Sequence, residues 1–536
     1  MNVECYPITV LPNLSRIFRE YVDLRTAPVD AAVRKYYAGS PFDGQWMRGV
    51  ERRLSADHGA VADLLLQQNL GFGAGEATLA NIEKLRNGAR AVVTGQQVGI
   101  LGGPLLTLMK AATAVRKAQV ASEAGVPHVP VFWMATEDHD LEEVNQVTLL
   151  GKRSVETLRA EIRGHHLEPV GGVVVGDEFE SLLTQAEELL GYAPVCGLLR
   201  ECYAPGQTLG LAFGRLLATL FREQGLIVID ASGREFHALG AEVLRSAIVD
   251  ADALQAALVK RSADLAAEGY HSQVLVNEGA SLLFLVEESG QRLPLRRVQG
   301  EWKAGTHHYS TEMLLEILTT EPERLSPNAL LRPVFQDVLL PTSAYVGGPA
   351  EIAYFAQCEV LYRLILGVMT PVLPRLSATL VEPAVRAVMD QHELTLTDAM
   401  QTVEELAQKL GARAIPVAGK QRIAAAGNAL DVELTSVVGW MEQVDASLGR
   451  SAAVSASKMR YQMNRLRRMA ATFQLQKEAS LRKHAEAIVN ALYPNQHTQE
   501  RLLAGVWFVA RYGDGLAQLL VDHAEQECPG HRVIDL

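Results

Sequence analysis

Two clusters of polar residues, each placed directly after an apolar run, have the side chains needed for acid–base chemistry. They are Thr94, Gly95, Gln96 and Gln97 in the first cluster, and Glu137, Asp138, His139 and Asp140 in the second. Amide groups can orient hydroxyls or phosphates, and a histidine flanked by carboxylates can move a proton. We therefore expect proton transfer on a small polar substrate. The alternative for the acidic cluster is a helix start with solvated charges.

The elements around these clusters predict one βαβ unit. Residues 91–93 are expected to form a short buried strand, residues 105 to about 121 a helix, and residues 129–134 a second buried strand. The two strands of a βαβ unit are parallel, and ligands bind in the crevice at their carboxyl ends. Both polar clusters are thus predicted to face one crevice.

Further polar groups are predicted to reach the crevice from residues 326–358 and from a last core strand at 371–377. Glycines before a helix allow backbone N–H groups to approach an anion, with a tight turn as the alternative. An arginine at a strand end suits a phosphate or carboxylate. The candidate substrate-binding residues here are Asn328, Arg332, Tyr345, Gly348, Pro349, Glu351, Arg375 and Ser377.

Residues 226–230 predict another strand of the same parallel sheet. This strand ends in Asp230, which is either a further crevice carboxylate or the cap of the helix that follows. Short strands are also expected at 146–150 and 170–175. Residues 273–276, 281–287 and 292–298 predict an antiparallel meander inserted between elements of the sheet.

The remainder of the chain predicts a helical arm. From residue 382 strand signals stop, and apolar residues recur at spacings of three and four from Leu434 to Leu448 and from Met459 to Phe473. This is typical of an antiparallel hairpin or coiled coil, with a break at 411–419. An apolar stripe needs a partner, so we expect a homodimer.

The fold class is therefore α/β, a Rossmann-like parallel sheet with inserted segments and a coiled-coil arm in the carboxyl-terminal half. We divide the chain into a core at 1–381 with insertions at about 151–330, an arm at 382–492, and a segment at 493–536 that packs back on the core.

Composition excludes several classes of function. The chain has 536 residues, 48% of them hydrophobic, and a formal charge of −12, which argues against nucleic-acid or anionic-membrane partners. No apolar run approaches the roughly 18 residues of a membrane span, and no secretion signal is recognisable. Five cysteines without a C-x-x-C pair suit a reducing cytoplasm and argue against a disulfide framework or a zinc site. We expect a cytoplasmic protein.

Several long motifs occur in order from about residue 90 to the carboxyl terminus. They are TGQQVGILGGPLLTLMKA, PVFWMATEDHD, LRPVFQDVLLPTSAYVGGPAEIAYFA, PVLPRLSATLVEP and LYPNQHTQERL. Together they resemble the bacillithiol-biosynthesis cysteine-adding enzyme family. The resemblance implies a Rossmann-type core with connecting-peptide insertions and a dimerising coiled coil. It implies the last step of bacillithiol synthesis, which joins cysteine to glucosaminyl-malate. Thr136 departs from the small residue usual in the family motif.

Within that resemblance, forming an amide in water requires an activated carboxyl group, for which ATP with Mg²⁺ is the ordinary route. No G-x-x-x-x-G-K-[ST] loop occurs, so the nucleotide is inferred by analogy alone. Asp138 and Asp140 would hold the cysteine ammonium or Mg²⁺, and His139 would be the general base. Arg332 or Arg375 would neutralise the malate carboxylates. Adjacent side chains diverge, so we predict no resident metal site.

Two other classes of function stay open. One is a hydrolase or transferase that acts on an amino-sugar conjugate, and the other is a non-catalytic scaffold that dimerises through its arm. A requirement for ATP and free cysteine would separate the ligase from the first, and the effect of His139→Ala on bacillithiol would separate it from the second.

Overall fold

The computed structural model of the chain describes residues 3–25, 27–152, 154–163, 167–277, 279–298, 300–524 and 528–536. Its strands are β1 (Val3–Tyr6), β2 (Arg90–Gln96), β3 (His128–Met134), β4 (Gln146–Leu150), β5 (Val155–Arg159), β6 (Ile227–Asp230), β7 (Ala280–Val286), β8 (Arg292–Val298), β9 (Glu301–Ala304), β10 (His307–Tyr309), β11 (Leu325–Pro327), β12 (Thr342–Gly347), β13 (Val372–Pro374), β14 (Ala378–Val381) and β15 (His531–Asp535).

Helices connect and cover these strands. Those before residue 370 are α1 (Arg16–Val22), α2 (His58–Gly71), α3 (Glu76–Arg86), α4 (Leu106–Glu123), α5 (Leu141–Val144), α6 (Glu178–Leu190), α7 (Val195–Cys202), α8 (Leu209–Leu220), α9 (Arg234–Leu239), α10 (Ala241–Val249), α11 (Ala251–Ala267), α12 (Thr311–Thr320), α13 (Arg332–Leu339) and α14 (Pro349–Ile365). The later ones are α15 (Pro383–Gln391), α16 (Leu396–Ala399), α17 (Val403–Arg413), α18 (Val417–Val444), α19 (Ala446–Lys477), α20 (Ala479–Leu492), α21 (Gln499–Leu502), α22 (Gly505–Tyr512) and α23 (Gly515–His523).

The core is a parallel sheet with the strand order β13-β12-β2-β3-β6. The strands β2 and β3 pair along their whole length, and their apolar residues are buried because helices cover both faces of the sheet. The predicted βαβ unit, β2-α4-β3, and the Rossmann-like fold class are confirmed. β2 extends three residues beyond its predicted end, so that Thr94, Gly95 and Gln96 belong to the strand.

A second, antiparallel sheet is inserted between β6 and β12, with the order β10-β9-β8-β7-β11. The predicted meander at 281–298 is confirmed, but the strand at 273–276 is wrong. There the amide group of Gln357 bonds both the N–H and the C=O of Val274, at 2.9 and 2.8 Å, and so takes the place of a neighbouring strand.

The strand predicted at 170–175 is also wrong, because residues 170–172 form a 3-10 turn. The N–H groups of Val170 and Gly171 donate to the carbonyls of Asp138 and Thr136, at 2.6 and 2.8 Å. This turn therefore supports the loop that follows β3.

A third sheet joins the two ends of the chain. β15 is antiparallel to β1 and parallel to β14. The pairing brings together Cys5 and Cys528, which form a disulfide with their Cα atoms 5.9 Å apart. This disulfide departs from the expectation, drawn from the number and spacing of the cysteines, that the chain has no disulfide framework. Sequence spacing could not reveal it, because a contact between residues 523 positions apart leaves no local pattern.

The coiled-coil arm is the antiparallel hairpin of α18 and α19. The chain reverses at Asp445, whose carboxylate accepts from the N–H groups of Ser447 and Leu448 at 2.8 and 3.1 Å and caps α19. The arm is confirmed, but its turn at Asp445 lies inside the apolar stretch that runs from Leu434 to Leu448. A one-residue break hardly disturbs the apolar spacing. The predicted break at 411–419 instead separates α17 from α18. In the described part of the chain, no helix is long and apolar enough to cross a membrane.

Candidate active site

A crevice of about 470 Å³ opens at the carboxyl ends of β2, β3 and β12. The central sheet, the inserted sheet and the segment after the arm all contribute to its walls. The structure brings most of the predicted site residues together there. They are Gly95, Gln96, Gln97, Glu137, Asp138, His139, Asn328, Arg332, Tyr345, Gly348, Pro349, Glu351 and Arg375.

Three predicted residues do not line the crevice. The Thr94 hydroxyl is buried in the sheet and donates to the Val346 carbonyl at 2.8 Å. Asp140 is exposed and caps α5 by accepting from the N–H of Glu143 at 3.3 Å. Ser377 lies behind the crevice wall, where it bonds His531 at 2.8 Å. These three residues were assigned to the crevice because they are close in sequence to residues that line it, but their side chains point in other directions.

Asp230 is also absent from the crevice. Its carboxylate accepts from the hydroxyls of Thr136 and Ser232, at 2.5 and 2.7 Å, in the turn before α9. The next helix begins with Gly233 as its cap, so Asp230 is not a helix cap either. Burial raises the pKa of this carboxyl.

An amide group lies between two crevice carboxylates. The Nε2 atom of Gln97 donates to Asp138 Oδ2 and to Glu143 Oε2, each at 2.7 Å. The other Asp138 oxygen accepts from the backbone N–H of His139 at 2.7 Å. The loop after β2 thus holds two negative charges on one side of the crevice, where an ammonium group would be attracted.

Glu137, the third carboxylate, is paired with His237 from α9. The ring of His237 is fully buried, its Nδ1 donates to the Leu325 carbonyl at 2.9 Å, and its Nε2 lies 2.9 Å from Glu137 Oε1. Burial by itself would lower the pKa of His237, but the attraction of Glu137 outweighs burial and raises that pKa. The Glu137 carboxylate therefore favours the charged form of the His237 ring.

The carboxylate of Glu351, which is itself a residue of α14, occupies the amino terminus of that helix. Its Oε2 accepts from the N–H of Gly348 at 2.8 Å, its Oε1 accepts from the Tyr345 hydroxyl at 2.6 Å, and it forms an ion pair with the buried Lys110. Burial would raise the pKa of Glu351, but Lys110 and these donors hold it below its usual value. The Gly348 N–H, predicted to approach a ligand anion, is thus already used by Glu351.

Arg375 is held by a residue from the carboxyl-terminal segment. Its guanidinium forms a two-point contact with Glu500, at 2.6 and 3.0 Å, and both side chains are only 3% exposed. Burial would raise the pKa of Glu500, yet Arg375 keeps it lowered. Because removing one member of a buried pair leaves an unpaired charge, Arg375 is better suited to shape the crevice than to release Glu500 for a substrate.

Arg332 and Arg501 are more accessible to a ligand. Arg332 donates to Gln336 at 2.9 Å and makes long contacts of 3.4 and 3.3 Å with the hydroxyls of Tyr345 and Tyr354. Arg501 is exposed at the crevice mouth, and within the described residues its guanidinium has no hydrogen-bond or ion-pair partner. It also lines a smaller cavity beside the crevice.

Sequence reasoning missed Lys110, His237, Arg292, Glu500 and Arg501. Lys110 had a recognisable signal, since it is a lone charge in the apolar stretch that forms α4. His237 and Arg292 lie far along the chain from the two polar clusters, and no local pattern marks them. Glu500 and Arg501 belong to the LYPNQHTQERL motif, but nothing in that motif indicates that it reaches the crevice. In the described residues, no group of three or more His, Cys, Asp or Glu side chains could hold a metal ion.

Both parts of the chain match domain models of one known protein family. Residues 1–376 match the model of the bacillithiol biosynthesis BshC N-terminal Rossmann-like domain, and residues 378–536 match that of the BshC C-terminal coiled-coil domain. A protein of Koribacter versatilis is 40% identical over all of both chains. A Solibacter usitatus protein is 36% identical over 83% of this chain and 84% of its own, and one from Salinibacter ruber is 32% identical over 92% and 93%. All three carry the name "Putative cysteine ligase BshC".

The charge on His237 makes a testable contribution to stability. Because Glu137 raises its pKa, the charged ring stabilises the fold fully below about pH 6.5, the ordinary histidine value, and this contribution is lost as the pH rises through the raised pKa. His237→Gln keeps an amide donor but removes the charge. We expect its melting temperature to fall below that of the wild type by more at about pH 6 than at about pH 9.

The control is His308→Gln, the same change at an exposed histidine that contacts Glu301. It should lower the melting temperature little at either pH. A deficit for His237→Gln that grows with pH would contradict the charge assigned to His237.

Proposed function

The chain belongs to the BshC family of bacillithiol biosynthesis, and from this premise we propose that it is a ligase that adds L-cysteine to the amino group of glucosaminyl-malate. The observation that carries this proposal is the sorting of charge in the crevice. Glu137, Asp138 and Glu143 gather after β3, and Arg332, Arg375 and Arg501 line the crevice from later parts of the chain. A substrate with an amine at one end and carboxylates at the other fits that distribution.

The carboxylate side suits the amine. Asp138 and Glu143, both held by Gln97, would attract the sugar ammonium or the cysteine ammonium. For the amide to form, the sugar ammonium must first lose a proton. Its nitrogen would then attack the carbonyl of a cysteine carboxyl activated by ATP, and the C–O bond to the phosphate or AMP on that carboxyl would break as the amide forms. A carboxylate next to that nitrogen can take the proton.

The arginine side suits the malate. Arg501 is available for a two-point contact with a carboxylate, and Arg332 is bound through long contacts that a ligand could replace. Arg375 would act indirectly, because Glu500 already occupies its guanidinium. Arg501 is therefore our first choice for the residue that recognises the malate end.

We propose ATP as the activating cosubstrate, because amide formation from a free carboxylate is uphill in water. The amino terminus of α14 is filled by Glu351, so the phosphates would lie elsewhere. Mg²⁺ characteristically binds through one or two carboxylates together with substrate phosphates. The carboxylates of Asp138 and Glu143 could serve in that way.

We also propose that two copies of the chain pair through the arm. α18 has no buried residue, and α18 and α19 together expose a row of large apolar side chains. They include Val437, Trp440, Leu448, Met459, Leu466, Met469 and Phe473. A row this long is characteristic of an interaction surface, and a second copy would cover it with the same residues.

Thiol profiling in a bacillithiol-requiring strain that lacks its own cysteine-adding enzyme tests the ligase. The wild-type chain should restore bacillithiol. Arg501→Gln should lower its formation about tenfold or more and let glucosaminyl-malate accumulate, because one charge-assisted hydrogen bond contributes about 1.5–3 kcal/mol. Arg245→Gln, at an exposed position on α10, is the matched control and should behave as the wild type.

If the wild-type chain is soluble but restores no bacillithiol, the proposed substrate is wrong. If glucosaminyl-malate disappears without bacillithiol being formed, the hydrolase or transferase alternative is favoured instead.

Light scattering after gel filtration tests the dimer. The wild type should have twice the 58.4 kDa mass of the chain. Met469→Glu with Phe473→Glu should give the single mass, because charges cannot be buried in an apolar interface without partners. Met313→Glu, at an exposed methionine on α12, is the control and should leave the dimer intact. A wild-type monomer at micromolar concentration would refute the dimer.

A further inference from the structure

Gln96, at the end of β2, is held by its amide oxygen. Its Oε1 accepts from the ammonium group of Lys110 at 2.8 Å. Because an ammonium group has only donors, the atom that faces it must be the amide oxygen, and the NH₂ group of Gln96 points away from it. The other two donors of Lys110 go to the Gly95 carbonyl at 2.7 Å and to the Glu351 carboxylate, so the ammonium has no donor left.

Gln97, the next residue, is held by its amide nitrogen. Its Nε2 donates to Asp138 and to Glu143, which uses both of its hydrogens. Because ionised carboxylates only accept, the atom between them must be the nitrogen. The part of the Gln97 amide that remains for a ligand is its Oε1 oxygen.

The two glutamines belong to a wall that two cavities share. Both residues line the crevice and also the smaller cavity beside it, whose volume is about 290 Å³. Their backbone carbonyls are already used, that of Gln96 by the N–H of Ala135 at 3.0 Å. The carbonyl of Gln97 accepts from the N–H of Gly99 at 2.9 Å. Within the described residues, the Gln96 NH₂ group and the Gln97 Oε1 atom have no hydrogen-bond partner, so the pair offers a ligand one donor group and one acceptor.

The charges bound to the two amides favour opposite charges on that ligand. Lys110 polarises the Gln96 amide and strengthens its N–H groups as donors, which suits a carboxylate. Asp138 and Glu143 accept from the Gln97 amide, and their negative charge attracts a cation towards it. Consecutive Cα atoms are about 3.8 Å apart, so the two charged groups of the ligand must be close together as well.

An α-amino acid meets these requirements, because its ammonium and carboxylate groups are attached to one carbon. Glucosaminyl-malate carries its ammonium on the sugar and its carboxylates on the malate. The smaller cavity also suits the cysteine side chain, since a thiol behaves as a small hydrophobe. Small or apolar residues in its wall are Gly99, Gly103, Pro104, Leu106 and Ala504.

We propose that Gln96 and Gln97 together bind the cysteine substrate: the Gln96 N–H groups donate to its carboxylate, and the Gln97 oxygen accepts from its ammonium group. Lys110 is then a positioning residue, because it fixes which end of the Gln96 amide the ligand meets. This inference rests on the proposed ligase function, and it assigns to cysteine the ammonium group that Asp138 and Glu143 attract. The crevice, which shares the two glutamines, remains available for the amino sugar.

Ligand-observed NMR of the full-length protein with three probes tests the site without any assay of activity. The probes are L-cysteine, cysteamine, which lacks the carboxylate, and 3-mercaptopropionate, which lacks the ammonium group. We expect L-cysteine to bind the wild type about tenfold or more tightly than either analogue, because each analogue loses one charge-assisted contact. No binding of L-cysteine at millimolar concentration, or equal binding of all three probes, would overturn the proposal.

Gln96→Glu reverses the polarity of one amide alone. The new carboxylate can still accept from Lys110, but it presents an oxygen instead of an N–H group to the ligand. L-cysteine and 3-mercaptopropionate should bind about tenfold or more weakly, and cysteamine should bind at least as well as it does to the wild type. Gln185→Glu, the same change at an exposed glutamine on α6, is the matched control and should bind all three probes as the wild type does.

Gln97→Leu tests the other end of the ligand, because it removes the acceptor and leaves Gln96 in place. L-cysteine and cysteamine should bind about tenfold more weakly, whereas 3-mercaptopropionate should bind as it does to the wild type. If both variants weaken the same probes, the two glutamines do not bind separate ends of the ligand. If one variant fails to fold, the other variant and the wild-type series still decide.

Thiol profiling separates failure of this site from failure of the proposed function. A wild-type chain that restores no bacillithiol but binds the three probes in the expected order would refute the ligase and leave the amino-acid site standing. A wild-type chain that restores bacillithiol, while Gln96→Glu binds L-cysteine as tightly as the wild type does, would refute this site alone.

Discussion

A charge that is taken out of water needs a partner, and the crevice depends on this constraint. Glu137 is paired with His237, Lys110 with Glu351, and Arg375 with Glu500. The partners of Glu137 and Arg375 come from distant parts of the chain. Leaving either charge unpaired would cost several kcal/mol. The crevice therefore takes its final form only when α9 and the carboxyl-terminal segment have docked on the parallel sheet.

Pairing also decides which groups are available to a substrate. Arg375 and Lys110 are occupied by protein carboxylates, and Glu351 fills a helix terminus that would otherwise be open to an anion. What is left facing the crevice is a carboxylate side around Asp138 and an accessible arginine at the mouth, Arg501. This separation of charge matches a substrate that carries an amine and a dicarboxylate, which is the basis of the proposed ligase.

Local patterns in the sequence predicted the helices and strands whose formation depends on neighbouring residues. Buried strands, the crossover helix and the arm follow from apolar runs and spacing, and polar residues at strand ends located the crevice. Contacts between distant residues were beyond such patterns, as with His237, Arg292 and Glu500. The direction of side chains was a second feature that the sequence did not reveal. Thr94, Asp140 and Ser377 are close in sequence to crevice residues, but their side chains point elsewhere. The reversal at Asp445 was missed because one residue barely interrupts helical periodicity.

The most direct test of the account is hydrogen exchange of the protein with and without glucosaminyl-malate, followed by mass spectrometry. If the crevice binds this substrate, exchange should slow in peptides that cover residues 94–97, 137–140 and 499–503, and it should stay unchanged in the arm at 417–477. Protection confined to other regions, or no protection at millimolar substrate, would contradict the assignment of this crevice as the site where cysteine is added.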